Sequence, residues 1–169
     1  MRNGTESCPK IELKGKTIIL GVTGSIAAYK AAEIASTLTQ MGASVHVMMT
    51  QDACNLVGPP TFRALTRNPV LVSVWDEPKS DEIVHIALPE KADMMLIAPA
   101  TANIIGKLAN GIADDMLTTA ALVVRCPMLI APAMNPRMYS NPAVISNLDR
   151  LISLGWQLIE PQEGRMACG

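Results

Sequence analysis

The alternation of short apolar runs with segments of helical spacing constrains this chain most. Thr17–Val22, Ser44–Met49 and residues 70–75, 93–97, 127–130 and 156–159 read as strands. They are short and nearly continuous in apolar character, the pattern of strands covered on both faces. Helical segments lie between them. The first is capped by Ser25, carries Ile26, Ile34, Leu38 and Met41 at roughly helical spacing, and ends at Gly42. Others are expected over 61–66, over 83–91 despite Pro89, and over 103–109, 115–124 and 142–154. Asn141 starts the last of these and Gly155 stops it. Strands alternating with helices predict βαβ units and an α/β fold: a doubly wound, mostly parallel sheet in three αβα layers.

Composition narrows the class further. At 169 residues the chain suits one domain, over 15–169, behind a polar N-terminal tail over 1–14 that is expected to be flexible. Hydrophobic residues make up 49% and mean hydropathy is +0.26, so a buried interface between copies is expected. No run approaches the roughly 20 apolar residues of a membrane span. The first residues lack the apolar core of a signal peptide. Cys8, Cys54, Cys126 and Cys168 show no CxxC spacing, which predicts reduced thiols in a cytoplasmic protein. A net charge of −1 without a basic cluster argues against nucleic acid. Two histidines, His46 and His85, are too few for a His-rich metal site, and no metal is expected. Eleven Met against one Phe read as adaptable core and interface filling.

The small polar motifs all fall where strands end and helices begin: Gly24-Ser25-Ile26, Thr50-Gln51-Asp52, Pro99-Ala100-Thr101-Ala102-Asn103 and Pro132-Ala133-Met134-Asn135. In an open α/β sheet, ligands bind outside the carboxyl ends of the strands, so four loops should converge on one edge. The 96–103 and 129–135 stretches, LIAPATAN and LIAPAMN, echo one another as two strand-to-helix exits. The second continues as the stiff loop APAMNPRMY, in which Pro132 and Pro136 fix the backbone around the Asn135 amide. Asn135 reads either as a site residue or as the cap of the next helix. The first turn is not a dinucleotide fingerprint. GxGxxG is absent, and strand two ends Met49-Thr50-Gln51 with no carboxylate for a ribose. Backbone amides with Ser25 and Thr50 suit a single phosphate, and FMN fits better than NAD. The same residues would also serve as a small-residue turn for close helix–sheet packing. His85 is the candidate general base, whereas His46 alternates inside strand two and reads as packing. Cys168 lies in EGRMACG, either as an inert thiol or on a mobile loop that folds over a ligand.

Together, GSIAAYK, HIALPEKAD, APATANIIGKLANGIADD, PAMNPRMY and ACG resemble the homo-oligomeric flavin-containing cysteine decarboxylases, over about residues 14–169. The resemblance implies a flavodoxin-like or Rossmann-like sheet, FMN as cofactor, and trimers or dodecamers with the site between neighbours. Within the family it is closest to the enzymes of coenzyme A synthesis. Their substrate is 4′-phospho-N-pantothenoylcysteine and their product 4′-phosphopantetheine with CO2. Their route oxidises the C–S unit to a thioaldehyde, decarboxylates, and reduces the resulting enethiol. The resemblance implies Gly24, Ser25, Ile26, Thr50, Thr101, Ala102, Asn103 and Met134 at the cofactor. It implies Asn135, Met138 and Ala167 at the substrate, with His85 as base and Cys168 as proton donor. Glu90 and Lys91 depart from the pattern where a basic contact and an aromatic are common, leaving Lys91 or Arg137 as candidates for the substrate phosphate. The sequence stops just after ACG, before the rest of the flap and the synthetase domain of bifunctional relatives. A truncated piece or a stand-alone variant with a shortened flap is therefore expected. The competing expectations are a peptidyl-cysteine decarboxylase, a flavin prenyltransferase-like protein and a non-catalytic flavin-binding regulatory subunit.

Overall fold

The computed structural model describes residues 12–75 and 84–161, without the side chains of residues 84 and 85. In chain order the elements are β1 (Thr17–Val22), α1 (Ala28–Gln40), β2 (Ser44–Met49), α2 (Gln51–Cys54), α3 (Pro59–Thr66), β3 (Val70–Leu71) and α4 (Val84–Lys91). They continue as β4 (Met94–Ala100), α5 (Ala102–Ala109), α6 (Met116–Val123), β5 (Met128–Pro132), α7 (Pro136–Tyr139), α8 (Pro142–Ser153) and β6 (Gln157–Leu158). The six strands form one sheet in the order β3-β2-β1-β4-β5-β6, and every pairing is parallel. The doubly wound α/β fold is thus borne out. From β1 the chain winds outward through β2 and β3, then returns to lay β4 on the other side of β1. That reversal opens a crevice at the carboxyl ends of β1 and β4.

Strand alternation divides the core in two. On one face Ile19, Met48, Met95 and Ile97 meet Ile104, Ile105 and Leu108 of α5, Leu117 of α6 and Leu148 of α8. On the other, Ile18, Leu20, Val22, Val45 and Val47 meet Ala28, Ala31 and Ala35 of α1 and Phe62 of α3. Each fully buried Leu, Ile or Phe contributes about 1.5–3 kcal/mol. Gly21 lets α6 lie directly on β1, since a Cβ there would stand 2.7 Å from Leu117 Cδ1. Lys16 and Asp93 fasten the opposite edge. The Asp93 carboxylate accepts from the Thr17 amide at 2.8 Å and from Lys16 Nζ at 2.9 Å.

Several expectations need correction. Helix α1 begins at Ala28, its buried face is alanine, and Ile26 lies before it at 65% exposure. Ser25 does not cap it: the N-cap position is Ala27, and the Ser25 oxygen accepts from the Ala27 amide, ahead of the first helical turn. Strand β3 covers Val70–Leu71 only, and β6 only Gln157–Leu158. Both are edge strands with one neighbour, so pairing stops where that neighbour turns away. Strand β4 runs on to Ala100, through Pro99 behind a cis peptide. The one-turn helices α2 and α7 carry no periodic signal; α2 was not expected, and α7 only through the reading of Asn135 as a cap. Other signals held: Gly42 and Gly155 adopt φ of +94° just beyond α1 and α8, and Asn141 caps α8 by accepting from Ala143 N at 2.9 Å.

Candidate functional site

The four polar loops do meet at one edge, and β1 holds them there. Thr23, which follows β1 directly and is 1% exposed, donates its hydroxyl proton to the Pro99 carbonyl at 2.7 Å. The same oxygen accepts from the Thr101 amide at 3.0 Å. One buried hydroxyl therefore joins the β1 exit to the β4 exit. Ser25 donates to the Ala133 carbonyl at 2.9 Å and accepts from the Ala27 amide at 3.3 Å, joining β1 to the β5 exit. The β5 exit is tied in turn to β4 by Ala133 N to Ala100 O at 3.0 Å. Gly24 closes the cluster on the β2 side. A Cβ there would stand 2.5 Å from Asp52 Cβ, so only glycine lets α2 approach this closely.

Two hydroxyls at this edge behave differently. Thr50 Oγ1 accepts from Ala53 N at 3.3 Å, capping α2, and Thr101 Oγ1 accepts from Ile104 N at 3.3 Å, capping α5. Both use lone pairs for the cap. Neither donates its own proton to an acceptor among the described residues. Ala102 is half-buried beside Thr101, while Asn103 and Ile26 are exposed.

The β5 exit presents its side chains outward. Met134 and Tyr139 pack against the core at either end of the α7 turn. Asn135, Arg137 and Met138 between them are exposed. Asn135 Oδ1 accepts from the Arg137 amide at 2.9 Å and so caps α7. That settles the amide's direction, since an N–H needs an acceptor, and leaves Nδ2 to offer two donors outward. The cap reading of Asn135 is therefore borne out, with its amide nitrogen still exposed. Burial first, and then the Glu160 carboxylate, pushes the Tyr139 phenol above its ordinary range. Burial likewise raises the Cys126 thiol, which disfavours its thiolate.

The structure does not bring every expected residue together. His85 lies in the first turn of α4. Because α4 feeds the amino end of β4, its start lies toward the carboxyl edge where the loops meet. Glu90 and Lys91, at its other end, lie toward the opposite edge, some 10 Å away along the helix. Arg137, on α7, shares the loop edge with Asn135. Ala167 and Cys168 lie outside the described residues. Thr23 escaped the sequence reading. Its only signal was a hydroxyl at the end of a buried strand beside a glycine.

The model of the family described as Flavoprotein matches residues 6–169. The coenzyme A biosynthesis bifunctional protein CoaBC of Bacillus subtilis is 50% identical over 157 residues, which are 93% of this chain and 39% of that protein. The chain therefore spans about two fifths of such bifunctional relatives. A probable phosphopantothenoylcysteine decarboxylase of Streptococcus mutans is 44% identical over 91% of this chain and 87% of its own length. Among solved structures, the FMN-dependent cysteine decarboxylase SpaF superposes with a TM-score of 0.83 at 39% identity, over 90% of this chain and 87% of that one. A PPC decarboxylase mutant complexed with pantothenoylaminoethenethiol gives a TM-score of 0.81 at 31% identity, over 91% and 86%. The resemblance read from the motifs is borne out, and this chain belongs to the flavoprotein family.

Proposed function

We propose that this chain is an FMN-dependent decarboxylase that converts 4′-phospho-N-pantothenoylcysteine to 4′-phosphopantetheine and CO2 in coenzyme A synthesis. The observation that carries this is the joined edge of four strand exits, one of which presents Asn135. Relatives named for that decarboxylation and for coenzyme A biosynthesis, matching nine tenths of the chain, support this reading.

The edge fits FMN by its donor set. The hydroxyl protons of Thr50 and Thr101 face no acceptor among the described residues, and Thr50 stands where a dinucleotide site would place a ribose-binding acid. These two hydroxyls, with the backbone at Gly24, Ser25 and Ile26, would hold the phosphate end, and Ala102, Asn103 and Met134 would flank the rest. Bound FMN supplies a two-electron acceptor that later returns the pair, so the overall decarboxylation is redox-neutral.

The chain's own residues do the rest. Asn135 grips an acceptor of the cysteinyl group through Nδ2, because its Oδ1 is committed to Arg137 N. His85 takes a proton from the substrate. Met138 and Ala167 shape the substrate wall, and Cys168 returns a proton to carbon at the end. Copies of the chain assemble as a trimer or dodecamer, with the site completed between neighbours, and the chain works beside a fused or separate synthetase in the cytoplasm.

The test is to purify the chain, record its flavin spectrum, and follow CO2 and thiol products from phosphopantothenoylcysteine. A yellow protein that releases CO2 and yields the saturated thiol supports the proposal. A yellow protein that turns over no cysteinyl substrate refutes it in favour of a regulatory flavoprotein. Cys168→Ser should still release CO2 but accumulate the enethiol, and normal product at normal rate would remove the role of Cys168. His85→Asn should stay yellow yet lose decarboxylation, whereas a colourless protein would move His85 to cofactor binding or folding.

A further inference from the structure

Four hydroxyls stand at the joined edge, and they fall into two kinds. A hydroxyl has one proton to donate and two lone pairs to accept with. Among the described residues, Thr50 and Thr101 use only lone pairs, as helix caps, and donate their protons to no acceptor. Thr23 and Ser25 commit the proton to protein carbonyls, Pro99 O at 2.7 Å and Ala133 O at 2.9 Å. The direction is not open to choice, since a carbonyl oxygen can only accept. A phosphate is itself an acceptor on every oxygen, so it needs donors. Ser25 has no second proton to give.

We infer that the Ser25 hydroxyl is a positioning group for the Asn135 loop and not a donor to the cofactor phosphate. The inference rests on the proposed FMN-dependent reaction, and it changes what Ser25 does there. Ala133 lies two residues before Asn135, in the same exit. Its amide is fixed to Ala100 O at 3.0 Å and its carbonyl to Ser25 Oγ at 2.9 Å, so its peptide groups on both sides are held. Met134 then packs on the core, and Asn135 caps α7 with Oδ1 while aiming Nδ2 outward. Releasing the Ala133 carbonyl frees the backbone two residues before the donor that must meet substrate. Such a donor acts through its geometry, so slack here should appear in turnover of substrate. The cofactor phosphate would still take the Thr50 and Thr101 hydroxyls and the backbone amides of the β1 turn. Thr23 is the matching brace on the β4 side, placing the Thr101 amide as Ser25 places Ala133.

Three variants and three readouts test this. The variants are Ser25→Ala, which deletes the hydroxyl, Ser25→Thr, which keeps it, and Thr50→Val, which deletes an available proton. The readouts are FMN affinity of the stripped protein by flavin fluorescence, kcat and KM with phosphopantothenoylcysteine, and amide hydrogen exchange across residues 132–139 without ligand. Ser25→Ala should bind FMN within about twofold of wild type, lower kcat/KM about tenfold and speed exchange in 132–139, with Ser25→Thr restoring both. Thr50→Val should weaken FMN about tenfold with exchange in 132–139 unchanged. The inference is overturned if Ser25→Ala loses FMN affinity as Thr50→Val does, or if it leaves exchange in 132–139 untouched. Should Ser25→Ala not fold, Ser25→Thr carries the decision, since wild-type exchange and turnover support a hydroxyl brace and their loss refutes it. If wild type itself turns over no substrate, the proposed function fails, while FMN affinity and exchange still judge Ser25.

Discussion

The exits of β4 and β5 begin with the same five residues and end as different devices. Leu96 and Ile97 pair in register with Leu129 and Ile130, so LIAP starts in step on both strands. The step is then lost, because Ala100 pairs with Pro132 and β4 carries one residue more. Such a bulge is a place where a central strand tolerates a proline, here Pro99. Beyond it, Thr101 caps an eight-residue helix whose Ile104, Ile105, Leu108 and Ala109 are buried. Asn135 caps a four-residue helix with no buried residue. The first exit anchors its cap in the core. The second, held through the Ala133 backbone and packed on the core by Met134 and Tyr139 at its ends, puts its polar side chains outside. Equivalent caps thus end up in the core or in the open according to what the following helix has to bury.

Substitutions can break this contrast, and the largest effect is expected at Asn135. Asn135→Asp keeps the oxygen that caps α7 and removes the two donors. Turnover should fall by about 100-fold or more, as for loss of one oriented donor in an active site, with the melting temperature nearly unchanged. A parallel fall in thermal stability would mean that the β5 exit is scaffold after all. Next comes Ile104→Ala, on the anchored side. It should cost about 2–5 kcal/mol in denaturant unfolding, the range for emptying a buried isoleucine site. A loss below about 1 kcal/mol would show that α5 is not held by its buried face.

Thr101→Ala should cost about 1 kcal/mol through the lost cap. It should also weaken FMN, whereas Thr101→Ser restores both, and chemical unfolding with a flavin titration separates the two. The smallest effect is expected from Lys107→Met. Lys107 Nζ on α5 meets Asp114 at 2.7 Å and Asp115 at 3.4 Å, pinning the loop before α6. The hydrogen bond from Lys107 holds the Asp114 carboxyl below its ordinary range, and the bond to Asp114 raises Lys107. The depressed acid contributes stability above the ordinary carboxylate pKa and loses it as pH falls through its folded value. The raised amine contributes below the ordinary lysine pKa and loses its share as pH rises through its folded value. Removing Lys107 should therefore flatten both flanks of the stability–pH curve, by less than the cap is worth because the Asp114 carboxylate is exposed to screening solvent. An unchanged curve would show that solvent screens the pair completely.

Much of the fold was legible because strand and helix periodicities are local. Thr17–Val22 and Ser44–Met49 lie where their apolar runs place them, and Asn141, Gly42 and Gly155 mark helix ends through local backbone chemistry. The short elements were not legible. Helices α2 and α7 have four residues each, too few to show a period. The extent of β3 and β6 depends on how far a neighbour runs alongside. Ile26 lies before α1 and is exposed, and the fully buried face of α1 is Ala28, Ala31 and Ala35, with Ile34 and Leu38 only partly buried beside them.

The candidate site divides the same way. Sequence alone determined that small, hydroxyl-bearing and amide residues would end the strands, and that parallel winding would bring those ends to one edge. It also determined that no dinucleotide fingerprint stood there. Only the tertiary structure decided which hydroxyls remain available. Thr23 meets Pro99 across 76 residues of chain and Ser25 meets Ala133 across 108, whereas the Thr50 and Thr101 oxygens serve amides three residues away. A hydroxyl's proton goes to whichever acceptor the fold sets within about 3 Å, and an acceptor so distant in sequence leaves no mark in the residues beside the donor.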